Sequence, residues 1–260
     1  MENIHIAAVS NDIYAKHTAV MFISILENNK SNSNLHFYIV GNLSLENQMK
    51  IRNSLAGYPA DVVFFPVDKN RFKGFKLYGY FKKEAYYRLL LPEVLDETIK
   101  KVIYLDSDII VKHDIIGLWN VNLNNHFLAA VQDLGSCASK ARKRVLSIPR
   151  RAGYFNSGVL VIDLEKWRKN NTAERVIQYA KKNPRKLRSI DQDAMNAVLY
   201  NKWLKLHPTW NYITVRIRKR KIIKNPAIIH FTGPKKPWKS HRHPLRYEYF
   251  RYLKSTKWDN

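Results

Sequence analysis

The stretch VIYLDSDIIV (102–111) decides how the rest of the chain is read. Its first half is a continuous apolar run, the kind found in a strand buried on both faces. The run stops at two carboxylates, Asp106 and Asp108, and then turns apolar again. On an extended backbone, residues two apart point the same way, so both acids can converge on one ion at the strand's end. Open α/β sheets receive ligands at the carboxyl ends of their strands. Two carboxylates beside a core repel each other unless a cation stands between them. A turn with solvated acids is the competing reading, and a second Asp-x-Asp at Asp191-Gln192-Asp193 means that the triplet alone decides little.

Outward from that stretch the chain alternates between two periods. IHIAAV (4–9), LHFYIVG (35–41) and DVVFFPV (61–67) read as strands, and HTAVMFISILENN (17–29) and LSLENQMKIRNSLAG (43–57) as the helices between them. EAYYRLLLPEVL (84–95) reads as a short helix stopped near Pro92, and VIYLD as the next strand. Further on, HFLAAVQD (126–133), GVLVIDL (158–164) and PAIIHF (226–231) read as strands. LEKWRKNNTAERVIQYAKK (164–182) reads as one basic amphipathic helix and IDQDAMNAVLY (190–200) as another helix. The pattern predicts an α/β fold, a mostly parallel sheet covered on both faces. No GxGxxG or GxxxxGK[ST] is present, and the turn after the first strand, AAVSNDIYAK, contains no glycine. Phosphates bound at this sheet would need another neutraliser, such as a metal.

With 260 residues, 45% hydrophobic and 12% aromatic, the chain can bury a sizeable core. Its one cysteine, Cys137, excludes an internal disulfide framework. The apolar runs are too short to span a bilayer, and MENIHIAAVSND does not read as a signal peptide, so the cytoplasm is the expected location. Charge is uneven. Residues 1–139 hold 14 Lys+Arg against 14 Asp+Glu, whereas residues 140–260 hold 31 against 7 and carry the whole net charge of +24. A half this basic attracts nucleic acid, anionic lipid or phosphorylated substrates.

Three more stretches carry chemistry. In AIIHFTGPKKPW (227–238), His230 follows an apolar run and precedes a Gly-Pro turn; it is either a core histidine or a third ligand. Two carboxylates and an imidazole suit Mn²⁺ or Mg²⁺ with positions open to phosphate oxygens. Gly233 lets backbone approach an anion, and Lys236 offers it an ammonium. In GYFNSGVLVID (153–163), Asn156 can hold a sugar hydroxyl or simply form a turn. In SIDQDAMNAVL (189–199), Asp191 caps the helix or, with Gln192, faces a pocket. Arg88 can reach a phosphate or carboxylate, or act structurally.

Taken in order, YLDSD, YFNSGV, DQD and HFTGPKKPW resemble the retaining glycosyltransferases of family 8, which include bacterial lipooligosaccharide galactosyl- and glucosyltransferases and glycogenin. The resemblance runs from the first strand to about Trp238. It implies a GT-A type fold, a Rossmann-like mixed sheet, with Asp106, Asp108 and His230 as ligands of Mn²⁺, or of Mg²⁺ in its place. It further implies that Gly233 and Lys236 hold the diphosphate of a UDP-hexose. Arg88, Asn156, Asp191 and Gln192 would grip or face the donor sugar, with Asp191 and Gln192 at the reaction centre. Tyr14 would stack near uracil, and Asp133 would lie on the acceptor side. The family's early aspartate is replaced here by Asn11, with Asp12 beside it, which leaves an acceptor oxygen for uridine.

The implied function is transfer of galactose or glucose with retention to a glycan or glycolipid, such as lipooligosaccharide. The expected layout is a single catalytic domain over residues 1–240 and a basic, aromatic, partly helical tail over 241–260. TVRIRKRKIIK (214–224) and KSHRHPLRYEYFRYLK (239–254) mix cations with aromatic and aliphatic residues, as expected of peripheral contact with the anionic inner face of the cell membrane. Two other classes stay open. A nucleic-acid-binding protein would use the basic half but leaves LDSD and His230 without a role, so no nucleic-acid partner is expected. A nucleotidyltransferase would carry a Gly-rich loop after the first strand.

Overall fold

The computed structural model describes residues 2–75, 77, 83–213 and 223–258. Seven strands form the main sheet in the order β3-β2-β1-β4-β7-β6-β8: Ala60–Phe65, Asn34–Val40, Asn3–Val9, Lys101–Leu105, Phe155–Asp163, Leu128–Gln132 and Trp203–Lys205. β3, β2, β1 and β4 pair in parallel; β7 is antiparallel to both β4 and β6, and β8 is parallel to β6. Only β7 therefore runs against the others. That reversal brings its first residues, Phe155 to Gly158, to the edge where β1, β4 and β6 end.

Alternation along each strand builds two cores. In β4, Ile103 and Leu105 join one buried cluster while Val102 and Tyr104 join the other. β1 divides in the same way, with Ile4, Ile6 and Ala8 on one side and Ala7 on the opposite side. Helix α1 (Ala15–Leu26) covers the first face, and α7 (Thr172–Lys182) and α8 (Ile190–Leu199) cover the second. The α/β fold with a mostly parallel sheet covered on both faces is as expected. A second sheet, β5-β10-β9 (Ile109–Val111, Ile228–His230, Tyr212–Ile213), lies beyond Asp108. It aligns His230 with Ile109 on one side and Ile213 on the other.

Two elements differ from the sequence reading. The segment 164–182 is two helices, α6 (Leu164–Lys169) and α7, because Asn171 adopts a left-handed φ of 47° that asparagine tolerates. Pro92 stops nothing: it occupies the first turn of α3 (Leu91–Val94), where a missing N–H costs no hydrogen bond, after a 3-10 helix over Lys83–Leu90. Beyond residue 240, the helix Arg246–Leu253 buries Tyr249, Tyr252 and Leu253 in the same core as α1. Residues 214–222 of the basic stretch lie outside the described residues.

Candidate active site

The site grows from the end of β4. Asp106 still belongs to the ladder through its N–H to the Gly158 carbonyl, 2.8 Å. Ser107 points the other way, and its hydroxyl donates to Val9 O at the end of β1, 2.8 Å. Pinning the middle residue on β1 leaves Asp106 and Asp108 side by side. Tyr104 OH donates to Asp106 Oδ1 at 2.8 Å, and Arg88 Nη2 reaches the same oxygen at 3.0 Å. Oδ2 of Asp106 is left facing His230 Nε2 at 3.6 Å, and Asp108 Oδ1 faces the same nitrogen at 3.2 Å.

His230 is brought there by β10 and is 4% exposed. The imidazole is buried, yet its Nε2 faces both acids. The donor atoms of Asp106, Asp108 and His230 lie within 4.8 Å of one another. Packing against the cluster is tight at Gly158: a Cβ there would sit 2.2 Å from His230 Cε1 and 2.7 Å from Asp106 Oδ2. Carboxylate oxygens and an imidazole nitrogen converging this tightly repel one another unless a cation or a proton lies between them. Two hard oxygens with one imidazole nitrogen match a divalent metal. The residues present fit such an ion.

Lys236 is drawn into the same cluster. Its ammonium donates to Asp108 Oδ2 and, at 2.6 Å, to Phe231 O. Burial alone would raise the Asp108 carboxyl, but the Lys236 ammonium and His230 outweigh it and hold it well below the usual carboxylate range. Burial pulls the Lys236 ammonium down, yet Asp108 prevails and its pKa is raised. Gly233 has a φ of 82°, so its turn requires glycine for backbone conformation, with nothing crowding its Cβ position.

Arg88 is structural and electrostatic at once. Its Nε contacts Asp191 Oδ2 at 3.1 Å, its Nη1 donates to Ser157 O at 2.6 Å, and its guanidinium lies 4.4 Å over the Tyr104 ring. Burial would lower its pKa, but Asp106 and Asp191 outweigh burial and raise it. Asp191 behaves differently. Burial pushes its carboxyl up to about 6, Asp106 adds to the rise, and Arg88 opposes it. The fold thus favours the protonated acid. Its contribution to stability is full below the ordinary carboxylate value of 3.8 and is lost as pH rises through about 6. The stability of wild type relative to Asp191→Asn should accordingly fall by on the order of 3 kcal/mol between those limits and stay flat above. Urea unfolding across the window measures it, and a constant difference contradicts the assignment.

Beside Asp191, an amide cluster is fixed by backbone. Ser157 N–H donates to Gln192 Oε1 at 2.9 Å, which turns Gln192 Nε2 toward Asp133 Oδ2, 3.2 Å away. Gly158 N–H donates to Asn156 Oδ1 at 3.1 Å, which turns Asn156 Nδ2 toward the same Asp133 oxygen, 3.2 Å. The other oxygen of Asp133 accepts from Gly135 N–H at 2.6 Å. Asp133, expected on the acceptor side, is buried and orients two amides of the site.

The third residue of DQD has a separate task. Asp193 is fully buried and accepts from Arg142 Nη2 (2.7 Å), Tyr154 OH (2.6 Å) and the N–H groups of Arg188 (2.7 Å) and Ser189 (2.9 Å). These bonds hold the start of α8, and so Asp191 and Gln192, in place. Asp193→Ala strands the Arg142 charge and is expected to cost about 3–5 kcal/mol by chemical denaturation. A cost under about 1 kcal/mol contradicts the anchoring role.

The β1–α1 turn has partners of its own. Asn11 Oδ1 accepts from Tyr14 N–H at 3.1 Å, and its Nδ2 donates to Glu84 Oε1 at 3.2 Å. Asp12 is engaged with Ser44 and Asn47 at the start of α2 (Leu45–Leu55). The Tyr14 ring meets His17 edge-on, centroids 5.4 Å apart.

A family model described as Glycosyl transferase family 8 matches residues 5–242. The chain belongs to glycosyl transferase family 8. General stress protein A of Bacillus subtilis is 36% identical, over 99% of this chain and 96% of its own length. A lipopolysaccharide 1,2-glucosyltransferase of Escherichia coli is 29% identical, over 86% of this chain and 70% of its own. The solved structure of the galactosyltransferase LgtC with donor and acceptor sugar analogs superposes with a TM-score of 0.89 at 23% identity, covering 98% of this chain and 96% of that one. That likeness gives the family 8 enzyme its GT-A fold.

Some working parts of this glycosyltransferase left little trace in the sequence. Gly158 stood in view within YFNSGV, but only the packing reveals why it is glycine. Tyr104 read as an apolar strand residue, although its hydroxyl bonds Asp106 of the clustered acids. Asn211, in the turn HPTWN, lies 3.0 Å by its Oδ1 from His230 Nδ1, and no motif announced it.

Proposed function

We propose that this enzyme transfers a hexose, galactose or glucose, from a UDP-sugar to a cell-surface glycan or glycolipid with retention of anomeric configuration. It would use a divalent cation, Mn²⁺ or Mg²⁺, held by Asp106, Asp108 and His230. The observation that carries the reading is the convergence of two acids and an imidazole at the carboxyl edge of the sheet, beside Arg88 and Asp191. Family membership and the sugar-transfer names of several relatives support it. When bound, the metal would supply Lewis-acid stabilisation of the diphosphate leaving group.

The chain's own residues do the rest. Lys236 stands on Asp108 beside the metal-facing oxygens and offers an ammonium to the charge that grows as the sugar's C1–O bond breaks. The Asn156 and Gln192 amides, held by backbone N–H groups, need no reorganisation to meet a sugar. Asp191 Oδ2 is engaged by Arg88 Nε, which blunts it as a nucleophile. We therefore favour front-face attack. The acceptor oxygen bonds to C1 on the face the phosphate leaves, its proton passes to the departing phosphate oxygen, and UDP is released.

Hydrolysis of a panel of UDP-sugars tests this without an acceptor. Metal-dependent release of UDP from UDP-galactose or UDP-glucose is expected, and inertness of every UDP-sugar with Mn²⁺ present would count against it. We further propose peripheral attachment to the inner membrane face, with the basic half contributing about 1 kcal/mol per cation near an anionic leaflet. Among the described residues no helix is long and apolar enough to cross a membrane. On the helix Arg246–Leu253, Tyr247 is 76% exposed and lies next to Arg246. Co-sedimentation with anionic vesicles at low salt tests the attachment; protein left in the supernatant refutes it.

A further inference from the structure

A chain of hydrogen bonds runs from the backbone of β7 to the metal-facing histidine. Each link fixes the next. It begins at Gly158, whose N–H can only donate, so the Asn156 atom 3.1 Å away is the carbonyl oxygen Oδ1. That oxygen also receives the Asn211 amide at 2.8 Å, so the Asn211 atom in contact is Nδ2, a donor. Asn211 must then present its own Oδ1 to His230 Nδ1, 3.0 Å away. An amide oxygen only accepts, so Nδ1 carries the proton. In the neutral ring, Nε2 is left bare, and Nε2 is the nitrogen that faces Asp106 Oδ2 and Asp108 Oδ1.

We propose that Asn211 is a positioning residue for the metal site, setting the tautomer and ring orientation of His230 so that the Nε2 lone pair points at the cation. Asn211 is fully buried, on the 3-10 turn Pro208–Asn211 that leads into β9, and is thus held by backbone on the side of His230 opposite the acids. Through Asn156 the same chain reaches Asp133 and Gln192. One rigid relay therefore registers the metal ligand against the amides of the sugar pocket, over five separate segments of sequence. Removing a partner that orients a ligating histidine typically costs about 10–100-fold in metal affinity.

The proposal rests on Asp106, Asp108 and His230 being metal ligands, and its test separates the two claims. The first arm is nitrogen NMR of the metal-free wild type with labelled histidine, above the ordinary titration range of imidazole, with His230 assigned by comparison with His230→Gln. The expected result is a protonated Nδ1 and a bare Nε2; a proton on Nε2 overturns the relay whatever the enzyme does. The second arm is Mn²⁺ affinity in the presence of UDP. Asn211→Leu, which keeps the size and loses both bonds, should weaken Mn²⁺ binding by about 10–100-fold. Asn211→Asp still accepts from Nδ1–H and should recover most of the affinity, although it cannot donate to Asn156. Asn211→Leu binding within about twofold of wild type overturns the proposal. A wild-type chain that binds no Mn²⁺ at all overturns the ligand reading and the proposal together.

Discussion

An Asp108→Asn enzyme is expected to keep its fold and lose more than about 100-fold in sugar transfer and donor hydrolysis. The two oxygens of Asp108 serve two partners: Oδ1 faces His230 Nε2 at 3.2 Å and Oδ2 takes the Lys236 ammonium. Asparagine cannot carry the charge that either contact relies on. The donor set would fall to one carboxylate and one imidazole, and Lys236 would lose the anion that holds its pKa up. The backbone at this point does not rely on the carboxylate, because the Asp108 carbonyl accepts from Phe231 N–H at 3.0 Å. Steady-state UDP release at graded Mn²⁺ checks the prediction, with circular dichroism as the control for folding. Raising Mn²⁺ should recover part of the loss. Activity within about tenfold of wild type at limiting metal contradicts it.

Gly158→Ala is expected to be nearly as damaging, although the change adds a single methyl group. The new Cβ would stand 2.2 Å from His230 Cε1, 2.8 Å from its Nδ1 and 2.7 Å from Asp106 Oδ2. Neither neighbour can yield cheaply. Asp106 is held at its other oxygen by Tyr104 and Arg88, and His230 is held by Asn211 and by β10 on both sides. The strain falls on Asp106 and His230 rather than on the sheet, where Gly158 O still accepts from Asp106 N–H. The expected outcome is a loss of metal-dependent turnover of about 100-fold, with stability reduced by about 1–3 kcal/mol, the usual cost of overpacking. A variant as active as wild type would mean that the acids and the imidazole do not act together.

How much of this was legible in the sequence depends on what kind of fact was sought. The sheet was legible because alternation is local: Val102 and Tyr104 go to one core, Ile103 and Leu105 to the other, and periodicity carries that division. The acids at the end of β4 were legible for the same reason. The reversal of β7, which carries Asn156 and Ser157 to the edge where the other strands end, is a matter of pairing between distant segments. The break at Asn171 and the true place of Pro92 depend on single backbone angles and on which turn a proline enters. The amide network was hidden for a different reason. Asp133, Asn156, Gln192 and Asn211 come from four separate stretches, and their bonds exist only once the sheet and α8 have assembled.

The central claim is that one divalent cation is held where Asp106, Asp108 and His230 meet. Paramagnetic resonance of free Mn²⁺, titrated with the chain in the presence of UDP, tests it most directly. Wild type should remove about one ion per chain from solution, and an Asp106→Asn, Asp108→Asn double variant should remove none. Wild type leaving the free Mn²⁺ signal unchanged, or the double variant binding as wild type does, would contradict the account.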